Sequence, residues 1–111
     1  MSAAELKARL RGDLTAAMRE RAADDVRVLR TLIAALDNAE AAPGEDKYVP
    51  RAFGDPGSEV ARLELDAAAI ATLLGHEIEA RQTAAAEYRQ RGRDEQAASL
   101  LTEIALIRRY L

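Results

Sequence analysis

The sequence predicts an all-α fold: four main helices arranged as two antiparallel hairpins in a small bundle, joined by one long loop. Three observations lead there. Apolar residues recur at three- and four-residue intervals in four separate stretches, the signature of helices with one buried face. Hydrophobic residues make up 49% of the chain, but Ala and Leu dominate them, with no Trp and one Phe, whereas strands favour aromatic and β-branched side chains. All three prolines and three of the six glycines fall between Pro43 and Glu64, so the remainder is free of helix breakers over long runs. With 111 residues the chain has the size of one ordinary domain and can bury a core without disulfides or metal. Residues 1–111 therefore form a single domain with a loop at 43–64.

The first helix opens at Ser2-Ala3-Ala4-Glu5, the spacing of a capping box in which Ser2 and Glu5 satisfy each other's free backbone donors. Leu6, Leu10, Leu14 and Met18 follow every four residues with Ala17 beside them, and Lys7, Arg9, Arg11 and Arg19 fall mostly elsewhere. Gly12 weakens the helix by up to about 1 kcal/mol relative to Ala, although its small size permits close approach of a neighbour. The second helix starts at Asp24-Asp25, where carboxylates serve as caps and as partners of the helix dipole. Val26, Leu29, Leu32, Ile33, Leu36 and Ala39 give it the most apolar face of the N-terminal half, and Pro43-Gly44 ends it.

The segment from Pro43 to Glu64 cannot be regular helix or central strand. Loops of this length inside a compact domain are uncommon and are usually functional or disordered, so this one is expected to be the most mobile part of the chain. Tyr48, Val49 and Phe53 are candidates to anchor it, and Val60 and Leu63 to form a short helical turn.

Asp66 caps the third helix, with Leu65 and Ile70 placed as a hydrophobic staple. Its buried stripe comprises Ile70, Leu73, Leu74, Glu77, Ile78, Arg81, Ala84, Ala85 and Tyr88. Gly92 stands where a helix needs a left-handed closing residue, and Asp94 caps a fourth helix carrying Ala97, Leu100, Leu101, Ile104, Ile107 and Leu111. So short a connection forces an antiparallel hairpin.

The residues carry little chemistry. The absence of Cys removes thiolate zinc sites and cysteine nucleophiles and fits a reducing cytoplasm. Charges are scattered through the apolar N-terminus, unlike a signal peptide, and no run of about 18 apolar residues occurs, so a soluble, cytoplasmic protein without a membrane segment is expected. Sixteen basic and 19 acidic residues give a net charge of −3, against the basic excess usual in proteins that hold nucleic acid by its backbone. His76-Glu77 begins like a zinc-binding helix motif, but position 80 is Ala and His76 is the only histidine; no metal or cofactor is expected. Glu77 with Arg81, and Glu87 with Arg91, have the spacing of stabilising helix pairs. Arg89, Arg91 and Arg93 at the hairpin tip, with Arg81 a few turns away, are the candidates for nucleic-acid or partner contact, since guanidinium groups recognise phosphate; Glu87, Asp94 and Glu95 offset much of their charge. No nucleophile motif and no glycine-rich phosphate loop is present, which argues against catalysis by this chain alone.

Three stretches resemble the YqeY family, also called GatB/YqeY after its relationship to the tail of the B subunit of aspartyl/glutamyl-tRNA amidotransferase. Leu6 to Glu40 is similar to a family opening in which an Ala-Met-rich helix leads to R-x-x-x-L-R-x-L-x-A-A-[IL]-x-N-x-E, with Leu29, Arg30, Leu32, Ala34, Ala35, Leu36, Asn38 and Glu40 matching its second half. A second match lies in IATLLGHEIEARQTAAAEYRQRGRDEQAASL, through Ile78, Arg81, Tyr88, Gly92, Arg93 and Ala97, and a third in EIALIRRYL. The chain departs from the family at Asp24-Asp25, which replaces a more basic turn, in a longer central loop, and in ending at Leu111, where longer members continue into a second helical subdomain. The resemblance implies a short-form accessory or binding protein linked to tRNA-dependent amidation, with tRNA or amidotransferase subunits as partners. It also implies carbon–nitrogen ligase activity with glutamine as amido-N-donor, although no catalytic residues of such an enzyme map onto this chain. A third reading is a helical interaction module that self-associates through its Leu-rich faces.

Overall fold

In the computed structural model, which describes residues 1–41 and 63–111, every regular element is a helix: α1 (Ala3–Arg19), α2 (Ala23–Glu40), α3 (Ala67–Gln90) and α4 (Asp94–Arg108). Helices α1 and α2 pack as one hairpin, α3 and α4 as the other, and α2 also touches both α3 and α4. The second helix is thus the central element. Leu6 and Leu10 of α1, Val28, Leu29, Leu32 and Leu36 of α2, Leu74 of α3 and Ile107 of α4 lose essentially all contact with solvent there. No helix is long and apolar enough to cross a membrane.

Side-chain chemistry marks two of the helix starts. The Ser2 hydroxyl accepts from the Glu5 amide at 3.1 Å, and Asp66 accepts from the Ala69 amide at 2.7 Å, each satisfying a donor with no intrahelical partner. The Glu5 carboxylate accepts from the Ser2 hydroxyl at 3.2 Å and not from its backbone, so the capping box is half formed. Helices α2 and α4 have no side-chain cap: their N-cap residues are Ala22 and Arg93. Asp24, Asp25, Asp94 and Glu95 lie inside the first turns, where they meet the positive end of the dipole; the capping roles expected of Asp24, Asp25 and Asp94 are corrected accordingly.

One turn design closes both hairpins. After α3, Gly92 is left-handed (φ 72°), its amide donates to the Arg89 carbonyl and the Arg93 amide to the Tyr88 carbonyl at 2.8 Å. After α1, Arg21 takes the left-handed position (φ 57°), with its amide on Met18 O and the Ala22 amide on Ala17 O at 2.9 Å. These are Schellman closures whose last residue is also the cap of the next helix. Glycine fits the first; arginine occupies the second at a conformational cost of about 1 kcal/mol.

All nine residues of the expected α3 stripe are buried or half-buried, Glu77 and Arg81 included. Elsewhere the pattern is trimmed. Met18 (51% exposed), Leu101 (44%) and Leu111 (64%) face solvent, while Val28, Leu106 and Tyr110 join the core. Gly12 has open space around its Cα, so no neighbour exploits its small size. Of the central loop, Tyr48, Val49, Phe53 and Val60 lie outside the described residues. Leu63 is not helical; its amide donates to the Glu40 carbonyl at 2.7 Å, which joins the two ends of the segment 42–62 at one point.

Candidate partner-binding face

Ionisable side chains in this protein fall into two populations, those used up between helices and those left facing solvent. The largest network centres on Glu103 of α4. It accepts from Arg81 Nε at 3.0 Å and from Arg27 Nη2 at 3.0 Å, while Arg81 also meets Glu77 at 3.1 Å and Arg27 meets Asp24 at 3.0 Å. With side chains only 15% and 12% exposed, Arg81 and Glu103 are fixed components of the junction between α2, α3 and α4. The Glu77–Arg81 pair was legible from spacing; the pairs of Glu103 with Arg27 and Arg81 were not, because these partners are distant in sequence.

Two further clusters tie α1 to the rest. Lys7 Nζ lies 2.5 Å from Glu40 Oε1 and 3.3 Å from Asp37 Oδ1, joining the start of α1 to the end of α2. Its hydrogen bond to Glu40, more than any other contact, holds the Lys7 ammonium above its ordinary pKa. Tyr110 donates its hydroxyl proton to Asp13, and Arg9 stacks over the Tyr110 ring at 4.7 Å while donating to the Arg109 carbonyl. Burial, and then the bond to Asp13, push the phenol far above its ordinary pKa, so it remains protonated through the neutral range. The hollow bordered by Asp13, Glu20, Asp25, Arg109 and Tyr110 measures about 170 Å³. That is well below the roughly 300–1,000 Å³ of a typical small-molecule site.

The residues singled out in the sequence do not form one site. Arg89, Arg91 and Arg93 are exposed at the α3–α4 turn and make no ion pair among the described residues, and the spacing-based pair of Glu87 with Arg91 does not form. Arg81 is about 12 Å along the helix from Arg89 and is held by carboxylates. Asn38 is exposed, Glu40 is paired with Lys7, and Tyr88 and Gly92 build the turn. His76 is exposed, and among the described residues no group of three His, Cys, Asp or Glu side chains is placed to hold a metal.

Arg30 belongs to a different place. It stands with Met18 where two adjoining open hollows of about 700 and 510 Å³ meet along the outer groove between α1 and α2. The walls are Arg11, Leu14, Thr15 and Met18 from α1, spaced three and four apart, and a matching stripe of α2 from Ala23 to Asp37. Sequence reasoning assigned Leu14, Met18, Val26 and Ile33 to the core. Leu14, Val26 and Ile33 are half-buried and do pack against it, with their outer edges at the groove, whereas Met18 is half exposed; no element among the described residues covers this edge.

A family model described as Yqey-like protein matches residues 7–111, nearly the whole chain. No curated protein matches the sequence.

Proposed function

Because the chain belongs to the Yqey-like family, we propose that it is a small cytosolic accessory protein that binds a macromolecular partner and catalyses no reaction by itself. One observation carries this reading: the two hollows of about 700 and 510 Å³ are open, apolar-walled and arginine-rimmed, while the polar hollow at Tyr110, whose hydroxyl is held by Asp13, measures about 170 Å³. Such a surface suits a partner's side chains better than a reacting small molecule. By family relationship the partner belongs to tRNA-dependent amidation, as tRNA or an amidotransferase subunit, with glutamine turnover residing in the other subunits.

A glutaminase assay beside a salt titration of tRNA binding, each with and without amidotransferase subunits, tests the proposal. The chain alone should release no ammonia from glutamine. Any tRNA binding through Arg89, Arg91 and Arg93 should weaken steeply with salt, each neutralised phosphate adding roughly 0.7–0.9 to the logarithmic slope. Glutamine turnover by the isolated chain would establish an enzyme, and tight, salt-resistant tRNA binding would establish a stand-alone RNA-binding protein.

A further inference from the structure

We propose that the outer groove between α1 and α2 is a docking site for an acidic amphipathic helix of a partner protein, seated over Met18 and Arg30. This rests on the binding-protein reading above and adds the place and the chemistry of the occupant.

The shape of the groove comes first. Its α2 wall runs from Ala23 to Asp37, about 21 Å at 1.5 Å per residue, or roughly four turns of a docked helix. Leu14, Met18, Val26 and Ile33 supply its apolar lining, with Met18, half exposed and unbranched, at the point where the two hollows meet. Methionine adapts to differently shaped side chains and is common at helix-binding surfaces. The two threonines of the lining donate their hydroxyl protons to carbonyls one turn back, Thr15 to Arg11 and Thr31 to Arg27, at 3.0 Å each. Neither hydroxyl proton needs water, so both residues can be covered by an apolar partner.

Charge then selects the partner. Arg11, Arg21 and Arg30 line the groove and make no ion pair among the described residues, in a molecule of net charge −3. The one carboxylate of the lining, Asp37, is already met by Lys7. A row of unpaired guanidinium groups beside an apolar floor is complementary to a helix with Leu or Met on one face and Glu or Asp flanking it. The left-handed backbone at Arg21 points the same way: the equivalent position in the other hairpin is glycine, and a strained arginine stands at the groove instead. RNA fits less well, because the described residues of the floor include no aromatic ring on which a base could stack. A single exposed methionine is also a small apolar anchor for a lipid surface.

The experiment uses the full chain and a displayed library of peptides about 16 residues long, with Leu or Met fixed at positions i, i+3, i+4 and i+7 and all flanking positions free. Selected peptides are measured by fluorescence anisotropy. The proposal expects binders enriched in Glu and Asp, with affinity reduced roughly tenfold or more by Met18→Glu and by Arg30→Glu and unchanged by Arg108→Glu. Both groove substitutions are at exposed side chains, and helical content with thermal melting confirms that each variant is folded; Arg11→Glu serves as a third. No binders, binders without an acidic excess, or affinity insensitive to the folded groove variants would overturn the proposal. So would a concentration-dependent dimer lost in Met18→Glu, or binding of single-stranded oligoribonucleotide or phosphatidylserine vesicles lost in Arg30→Glu. Glutamine turnover with the peptide results as expected would overturn the accessory role and leave the docking site standing.

Discussion

Gly92 and Arg21 hold the same left-handed position in two equivalent turns, and they give opposite predictions. A Cβ at Gly92 would meet nothing within 4 Å, so Gly92→Ala is penalised by backbone conformation alone, by about 1 kcal/mol. Arg21→Gly should stabilise by a similar amount, about 0.5–1 kcal/mol, while weakening whatever binds the outer groove. Denaturant midpoints of the two variants check both signs. Tyr110 gives a pH prediction. Its folded pKa lies above the ordinary 10.0, so the stability it contributes is complete below that value and is lost as pH rises through the folded pKa. Lys7, also raised, from 10.5, acts in the same direction. Melting temperature should therefore fall on the alkaline side of pH 10, and Tyr110→Phe should flatten the fall without abolishing it; an unchanged slope would show that burial and the Asp13 contact do not hold the phenol neutral in solution.

At the level of elements, α3 was the most legible, because its stripe continues through Glu77 and Arg81, whose charges are met inside the fold. Periodicity identifies an apolar face but not what covers it, which is why Met18 reads as core and stands at an open groove, beside Leu14, Val26 and Ile33, which are half-buried against the core. The turn at Arg21 was equally hidden, since no glycine marks it, and Asp24 and Asp25 drew the helix start one or two residues too far along the chain. The three-helix junction rests on Glu103. Replacing it by Ala leaves Arg81 partly buried without its interhelical acceptor and should cost roughly 1–3 kcal/mol, with Arg81→Met recovering part of that in a double-mutant cycle. The bond from the Leu63 amide to the Glu40 carbonyl brings the flanks of segment 42–62 together. Replacing that segment by about six Gly and Ser residues should therefore change stability by no more than about 1 kcal/mol, as loop-closure entropy varies slowly with length. Loss of cooperative unfolding would show that the segment contributes to the core.

For the whole molecule, the distribution of charge separates architecture from function. Carboxylates and cations of the interior faces are matched across α1–α2, α2–α4 and α3–α4, and the arginines without an ion pair among the described residues include two groups: the tip formed by Arg89, Arg91 and Arg93, and the groove of Arg11, Arg21 and Arg30. Sequence reading found the first as a cluster and missed the second, because its members are spread over two helices and meet only once the hairpin closes. If the protein works by binding through the groove, the tip should be dispensable for that contact. The most direct test is a titration of the isotope-labelled full chain with the tightest acidic peptide selected on it, followed by amide chemical shifts. The account predicts shifts along Arg11 to Met18 and Ala23 to Asp37, with Arg89 to Arg93 unmoved; shifts centred on Arg89 to Arg93, with the α1–α2 groove unmoved, would contradict it.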